Sequence, residues 1–381
     1  MTYQLTRHLE VGFDAGSGPI DVGRGARYLL KNALYGSRLL CGDDDWDILD
    51  SYESPRDLGD SSLEARAVQA QILCPTEGHP DSTPLARRFG EIADKLLKYR
   101  KVEPAGSLSE RALQVKEICR ASREYQGSNH YLWQDPKRLF NIMMDHFVAY
   151  LREEIGTPQV APISCTFARQ SLGRPERNGE FAQQLCTLHT SLRRAQLIQE
   201  RFPAPAKFLT LGDDDLMSLA LTLQPGYEVD VFEIDRSLVR FIKKRKSEAV
   251  QVYSRDLTNG LPEEFHGRYD AVLADPPYNV DGMAWFIRCC SQGLKQNESA
   301  RLYLSTYPGL LESSERFFEE FGKNGLRLQK TTEFFNRYPF PRETHDITSV
   351  GLRNLGFHPE LVGAIMSVPY LYAHLFECEW A

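Results

Sequence analysis

The sequence predicts an α/β protein in which a mainly helical N-terminal lobe precedes a mostly parallel sheet. Two patterns predict this. Apolar residues recur at helical spacing between residues 61 and 155, and short β-rich runs alternate with helical segments after residue 206. A segment dense in proline and glycine separates the two patterns, as expected for a connector. We therefore predict a helical lobe or lid at 1–160 and a sheet domain at 161–381.

The helical lobe is predicted from apolar periodicity and from start signals such as Asp135-Pro136. The first 60 residues are interrupted by glycines and are assigned no chemistry. The predicted helices are 61–74, 84–101, 108–125 and 135–155.

The sheet domain is predicted from strand-length apolar runs with helical segments between most of them. Such alternation indicates parallel strands with helices on both faces. The predicted strands are 207–211, 228–234, 250–253, 270–274 and 302–306. The predicted helices are 215–223, 237–247, 280–294 and 311–323. Two last β-like runs, 326–334 and 368–379, suit a closing antiparallel pair.

Composition and charge exclude several classes of protein. The chain has 381 residues, with 45 Lys and Arg against 52 Asp and Glu, a net charge of −7. An acidic balance argues against nucleic acid as a partner and favours a small cationic or neutral one. The eight cysteines show no metal-binding spacing, so we expect no metal. Without an apolar leader or a long apolar stretch, the chain is expected to be cytoplasmic, with no membrane partner.

Acidic residues follow four successive predicted strands. In an open α/β sheet, ligands bind outside the carboxyl ends of the strands, so these side chains are expected to share one edge. The segments that end the strands are Gly212-Asp213-Asp214-Asp215, Glu233-Ile234-Asp235, Asp256-Leu257 and Asp275-Pro276-Pro277-Tyr278.

These strand ends indicate a nucleoside ligand that carries a positive charge. Gly212 lets the backbone approach a ligand, but Asp214 and Met217 stand where a dinucleotide fingerprint requires glycine. Adjacent carboxylates would also repel a pyrophosphate. Asp235 is placed to bind ribose hydroxyls, and Asp256, beside Leu257, to bind an adenine amino group.

The same residues resemble a known family. Asp275-Pro276-Pro277-Tyr278 is similar to the motif of amino-directed methyltransferases of the class I S-adenosylmethionine-dependent fold. The Gly212–Leu216 segment with Ser218, Asp235 and Asp275-Pro276-Pro277 more closely resembles the branched-chain polyamine synthases, the bis(aminopropyl)spermidine synthase family. Phe181, Gln183 and Thr187 also resemble the segment before that family's first strand. The likeness spans about residues 180–381.

The resemblance implies a Rossmann-like, mostly parallel sheet of seven strands that binds S-adenosylmethionine or its decarboxylated form as substrate. One of the carboxylates would take a proton from an amine nucleophile as general base, and a cluster of acids leaves open which one. Tyr278 would face a cation. The expected catalytic residues are Asp213, Asp214, Asp275 and Tyr278, and the expected donor-binding residues are Gln183, Gly212, Asp235, Asp256, Leu257 and Pro276.

Three activities stay open at this point. The first is transfer of the aminopropyl-type arm to a polyamine-like amine, which releases methylthioadenosine. The second is intramolecular cyclisation of S-adenosylmethionine to azetidine-2-carboxylate, with the same leaving group and no second substrate. The third is methylation of an amino group, favoured by Tyr278. The sequence also leaves a homodimer open.

Overall fold

A computed structural model gives the architecture of the chain. It describes residues 2–5, 9–13, 28–32, 38–42, 45, 48–49, 51–52, 56–59, 61–70, 72–75, 84–121, 136–155, 164–354 and 356–381. The chain divides into two compact units. One comprises Met1–Thr76, Val160–Arg337 and Ala373–Ala381, and the other comprises Glu77–Gln159 and Tyr338–Tyr372.

Short strands and helices make up the first part of the chain. In order, they are β1 Thr2–Leu5, β2 Leu9–Phe13, β3 Tyr28–Asn32, β4 Arg38–Cys41, β5 Arg56–Asp57, α1 Ser62–Gln69, β6 Leu73–Pro75, α2 Pro84–Tyr99, α3 Leu108–Ala121 and α4 Pro136–Ile155. The four predicted helices of this part are all present. The helices α1 and α2 end a few residues earlier than predicted, and α4 ends at the predicted residue, whereas the predicted end of α3, at 122–125, lies outside the described residues.

Strands and helices alternate in the second part. In order, they are α5 Cys165–Ser171, α6 Leu188–Arg201, β7 Ala206–Leu211, α7 Met217–Leu221, β8 Tyr227–Glu233, α8 Arg236–Arg245, β9 Val250–Ser254, β10 Ala271–Ala274, α9 Val280–Gly293, β11 Arg301–Thr306, α10 Ser314–Lys323, β12 Leu326–Pro339, α11 Arg342–Asn354, α12 Pro359–Ile365 and β13 Tyr370–Trp380. The predicted strands and intervening helices are confirmed to within a few residues, except that β12 runs five residues further. The helices α5, α6, α11 and α12 were not predicted.

The seven-stranded sheet has the order β12-β13-β11-β10-β7-β8-β9. The five strands from β11 to β9 are parallel, and β13 runs antiparallel to β11. The chain builds β7, β8 and β9 outward and then crosses back to β10, so the strand order reverses between β7 and β10. A crevice at such a reversal is where α/β sheets bind ligands. The predicted class I methyltransferase-like fold is confirmed.

Helices cover both faces of this sheet because side chains alternate along each strand. Phe208 of β7 packs into a core that contains Leu192 of α6 and Ile242 of α8. Its neighbour Leu209 packs into the opposite core with Ile287 of α9. The sheet is packed between these two cores, and the loops that form the cavity follow directly from its strands.

The N-terminal segment differs from the prediction. Residues 1–76 belong to the same compact unit as the sheet, because Leu9, Leu30 and Leu39 of the short strands are buried in the core that contains Phe208. The predicted boundary near residue 160 is therefore one of several places where the chain changes unit.

The other unit is mainly helical and is formed by α2, α3 and α4 together with α11 and α12. Aromatic contacts join its helices: the ring centroids of Phe89 and Phe147 lie 4.3 Å apart, and Phe140 stacks on Phe357 at the same separation. A segment from near the C-terminus thus completes the helical unit. In the described part of the chain, no helix combines the length and apolarity needed to cross a lipid bilayer.

Candidate active site

The loops that follow β7, β8, β9 and β10 line one cavity of about 370 Å³. They meet there because the carboxyl ends of parallel strands share one edge of the sheet. Most of the predicted site residues lie on its wall. These are Gln183, Gly212, Asp214, Asp256, Leu257, Asp275, Pro276 and Tyr278. Asp213 and Asp235 do not line the cavity.

Gly212 makes the tight turn by which the chain leaves β7. Its φ is +71°, in the left-handed region that glycine enters without strain, and its N–H donates to the Phe232 carbonyl at 2.8 Å. An added Cβ would meet nothing within 4 Å. The glycine is therefore required by the backbone conformation of the turn and not by a close contact.

Asp213 points into the protein. Its carboxylate accepts hydrogen bonds from the backbone N–H and the hydroxyl of Ser218, at the start of α7. Burial raises the pKa of Asp213 to about 8. Its position supports the helix start, so a direct role in catalysis, which the sequence allowed, does not fit this geometry.

Asp214, the next residue, faces the cavity. Burial raises the pKa of Asp214 well above its ordinary value, and the negative charges of Asp215, Asp275 and Glu233 add to the effect. Arg174 donates to the backbone carbonyl of Asp214 at 3.3 Å, which helps to hold the turn. A carboxyl group with a raised pKa on a cavity wall can bind an ammonium group and exchange a proton with it.

Arg194 of α6 bridges two acids of the site. Its guanidinium lies 2.7 Å from Asp215 Oδ2 and 3.1 Å from Asp275 Oδ2, and its Nε donates to Asn336 Oδ1 at 2.7 Å. Although burial opposes ionisation, Arg194 holds the pKa of Asp215 below its usual range. Asp215 also accepts from the Cys186 N–H at 2.6 Å.

Neither Arg194 nor Asp215 was assigned a role from the sequence. The signal was present, since both residues stand in segments that resemble the polyamine synthases, but a pairing between them is not visible in the sequence.

Tyr278 lies on the cavity wall after the two prolines of its motif. Burial, with the charge of Asp275, raises the pKa of Tyr278 well above its ordinary value, so the phenol stays neutral. Asn279 begins α9 by accepting the Gly282 N–H at 2.6 Å. The extended proline turn thus ends in a cap that fixes Tyr278 beside Asp275.

Two acids lie at and just after the end of β8, and their carboxylates make different contacts. Glu233 lines the cavity, and its carboxylate accepts the backbone N–H groups of Asp213 and Asp235 at 2.9 and 2.8 Å. Asp235 is the N-cap of α8 and accepts from Ser237 N at 2.7 Å and from Gln183 Nε2 at 3.3 Å. Glu233 was not singled out from the sequence, although it belongs to the strand-end segment that predicted Asp235.

The far side of the cavity is more apolar. Leu257 and Phe286 line it with Ile234 and Trp285, which are 43% and 46% exposed. Exposed apolar side chains on a cavity wall suit the flat faces of a base. Asp256 stands beside them, exposed, with Oδ1 accepting the Thr258 N–H at 2.9 Å. Among the described residues there is no group of three or more His, Cys, Asp or Glu that could hold a metal ion.

Comparison with known proteins gives matches to branched-chain polyamine synthases. Residues 163–344 match the model of the branched-chain polyamine synthase A C-terminal domain. The chain is 32% identical over 120 residues to the N(4)-bis(aminopropyl)spermidine synthase of Thermococcus kodakarensis, which is 30% of this chain and 34% of that protein. It is 33% identical over 120 residues to the enzyme of that name from Methanocaldococcus jannaschii, with the same two shares. The aligned part spans about a third of the length of these curated relatives.

A solved structure of the branched-chain polyamine synthase from Thermus thermophilus, in complex with N4-aminopropylspermidine and 5'-methylthioadenosine, aligns with 71% of this chain and 93% of its own, at 19% identity and a TM-score of 0.48. The family match covers the strands and loops that build the cavity, from α5 to the start of α11. Residues 163–344 of this chain are therefore similar to the C-terminal domain of the branched-chain polyamine synthase family.

Proposed function

We propose that this protein transfers the aminopropyl arm of decarboxylated S-adenosylmethionine to a polyamine amine and releases methylthioadenosine. The observation that carries the proposal is the acidic wall of the cavity. Asp214, Glu233 and Asp275 line it, and Arg255 is its one basic residue among those described. Such a wall favours two cationic substrates, a sulfonium donor and a polyamine.

The nucleoside of the donor would occupy the apolar side of the cavity. Adenine would lie between Ile234 and Trp285, with Asp256 as acceptor for its amino group. Glu233 and the Gln183–Asp235 pair stand nearest the end of β8, where ribose hydroxyls bind in sheets of this kind. This orientation would direct the sulfonium towards Asp214 and Asp275.

The charge around Asp214 favours the decarboxylated donor. S-adenosylmethionine carries a carboxylate at the end of its side chain, which would approach Asp214 and Asp275. Arg194 already pairs with Asp215 and Asp275, and Arg174 donates to the backbone carbonyl of Asp214. The decarboxylated arm ends in an ammonium group, which these carboxylates attract.

The transfer is a nucleophilic displacement at the carbon of the aminopropyl arm that is bonded to sulfur. The amine lone pair forms the new N–C bond, the C–S bond breaks, and its electron pair stays on sulfur, which becomes the neutral thioether of methylthioadenosine. The attacking nitrogen loses one proton, and we assign Asp214 as the acceptor because its pKa is raised and it faces the cavity. Asp275 and Tyr278 would hold the amine in line.

The family relatives supply the class of acceptor. Two of them are named N(4)-bis(aminopropyl)spermidine synthases, which points to spermidine as the first amine to test. The same base would also serve the cyclisation of S-adenosylmethionine, but its carboxylate would face the acidic wall. Methylation of an amino group has one observation in its favour, the place of Tyr278 beside Asp275.

One incubation separates these activities. Purified protein is mixed with decarboxylated S-adenosylmethionine, with and without spermidine, and in parallel with S-adenosylmethionine, and the nucleoside products are separated by chromatography. We expect methylthioadenosine from the decarboxylated donor only when spermidine is present. Methylthioadenosine together with azetidine-2-carboxylate, formed from S-adenosylmethionine without an amine, would establish cyclisation instead, and S-adenosylhomocysteine would establish methyl transfer.

A further inference from the structure

The guanidinium of Arg194 donates hydrogen bonds from all three of its nitrogens. Its Nε donates to Asn336 Oδ1 at 2.7 Å, and one terminal nitrogen donates to Asp215 Oδ2 at 2.7 Å. The other terminal nitrogen donates to Asp275 Oδ2 at 3.1 Å. The Arg194 side chain is 5% exposed and is not among the described residues that line the cavity, so we expect it to contact Asp275 and not a substrate.

Two of the three partners anchor this guanidinium inside the protein. Asp215 is buried and accepts the Cys186 N–H at 2.6 Å. Asn336 of β12 is also buried, and its Nδ2 donates to the His374 carbonyl at 3.0 Å. Because a guanidinium presents its donors in a rigid plane, two anchored sides fix the direction of the third. The nitrogen that reaches Asp275 is therefore held by contacts from outside the loop that carries this acid.

The two acids of the cavity wall differ in their relation to this cation. Asp214 and Asp275 both line the cavity. The ion pairs of Arg194 among the described residues are with Asp215 and Asp275, and none is with Asp214. A guanidinium at this distance favours the ionised form of a carboxyl group. Since one guanidinium serves two carboxylates, one negative charge of this group stays available for a cationic ligand.

We propose that Arg194 is a positioning residue that gives the two cavity acids different roles: it holds Asp275 ionised and in place to bind an ammonium group, and it leaves Asp214 to take the proton. These roles require the acids to ionise in a fixed order, Asp275 at a lower pH than Asp214. The catalytic meaning of this order rests on the proposed function, whereas the order itself is a property of the free protein.

Other ionisable groups act on the same two acids. Neighbouring acids oppose the ionisation of Asp214 and Asp275, arginines favour it, and burial keeps the phenol beside Asp275 neutral. These groups are Asp215, Glu233, Arg174, Arg194 and Tyr278. Arg194 also holds the pKa of Asp215 below its usual range, so a substitution of Arg194 affects both bridged acids. The titration of Asp275 itself is therefore the quantity to follow.

The test is a carbon-13 NMR titration of the two carboxyl groups in the full chain, assigned by their absence in Asp275→Asn and Asp214→Asn. In the wild-type protein, we expect Asp275 to lose its proton at a lower pH than Asp214. Arg194→Lys keeps a cation but cannot form three directed contacts, so the proton affinity of Asp275 should rise about tenfold. In the transfer assay, the KM for spermidine should rise more at low pH than at high pH, because protonated Asp275 no longer attracts an ammonium group.

The matched control is Arg301→Lys. Arg301 also bridges two acids, Glu377 at 3.4 Å and Glu379 at 2.7 Å, and its side chain is likewise 5% exposed. It lies at the amino end of β11, away from the cavity, so this substitution should leave the titration of Asp275 unchanged. A general loosening of the sheet would move Asp275 in both lysine variants, whereas the proposed role moves it in Arg194→Lys alone.

Three results would overturn the proposal: a wild-type protein in which Asp214 loses its proton first, an unchanged Asp275 titration in Arg194→Lys, or an equal shift in the control. If Arg194→Lys does not fold, Asn336→Ser replaces it. This variant removes the side-chain amide that anchors Nε and keeps the arginine, so a smaller rise is expected, and no rise would overturn the proposal. The titration needs no turnover. A chain that makes no methylthioadenosine but shows the order and the shift refutes the proposed function and keeps the positioning role of Arg194.

Discussion

The same three strands carry two clusters of acids, one near their amino ends and one at their carboxyl ends. In the first, Lys207 of β7 lies 3.2 Å from Asp230 of β8, Tyr269 donates to that carboxylate, and Lys295 lies 2.6 Å from Asp270. In the second, Asp214 and Glu233 line a cavity and Arg194 serves two other carboxylates.

The difference separates acids that are paired within the sheet from acids that line a cavity. At the amino ends, Asp230 and Asp270 are paired with different lysines, Lys207 and Lys295. At the carboxyl ends, acidic residues outnumber basic residues on the wall of the cavity. An excess of acidic residues raises the pKa of neighbouring carboxyl groups and attracts cations. Carboxyl groups with shifted pKa values are common at functional sites.

The largest effect is expected from Asp214→Asn. Asparagine keeps the shape of the side chain but cannot accept a proton, so the rate of methylthioadenosine release should fall by about 10²–10⁴. Binding of methylthioadenosine, measured by calorimetry, should change little.

The control for this substitution is Asp270→Asn, which removes a carboxylate from the amino-end cluster and should leave the rate almost unchanged. If both variants keep more than about half of the wild-type rate, Asp214 is not the base, and the contrast between the clusters carries no catalytic meaning.

A loss of stability is expected from Arg194→Met. This change leaves Asp215 and Asp275 without their shared cation, and breaking a buried ion pair by removing one partner costs about 3–5 kcal/mol. Urea unfolding should show the loss. Arg327→Met is the matched control, because its pair with Glu379 is exposed and should cost no more than about 1 kcal/mol. Equal losses in the two variants would show that the Arg194 bridge does not stabilise the site.

A smaller effect is expected from Asp235→Ala. It removes the cap of α8 and the partner of Gln183, so stability should fall by about 1 kcal/mol and the affinity for methylthioadenosine by about ten- to a hundredfold. Asp235→Asn should keep the cap and still lose affinity. Ser313→Ala, which removes the cap of α10, should lower stability alone. Unchanged affinity in both Asp235 variants would remove this residue from the donor site.

The sequence was sufficient for the sheet and for most of the cavity wall, because strand periodicity and the position of each acid after a strand are local properties. It could not show that Asp213 turns inward while Asp214 faces the cavity. That choice depends on the backbone of the turn, where Gly212 and Leu216 have φ values of +71° and +55°. Nor could it pair Arg194 with Asp275, which lie 81 residues apart in the chain. Contacts of that range are set by packing of α6 on the sheet.

The smallest expected effect concerns Asp213. This residue belongs to the acids at the carboxyl ends of the strands, but its side chain faces the interior. Its pKa is about 8 in the folded chain against an ordinary value of 3.8. The folded state therefore holds a proton that the unfolded state releases, and the stability due to this group is complete below pH 4 and is lost as the pH rises to 8. Asp213→Asn can keep both hydrogen bonds to Ser218 and carries no charge. Its stability relative to wild type should rise between pH 4 and pH 8 by more than about 1.4 kcal/mol, the equivalent of one pKa unit.

Urea unfolding at a series of pH values measures this difference, and Asp270→Asn, whose partner is Lys295, should show no such gain. A difference between Asp213→Asn and wild type that stays constant over this range would mean that Asp213 is ionised in the folded chain, and the interior behind the cavity wall would then hold a negative charge that its burial opposes.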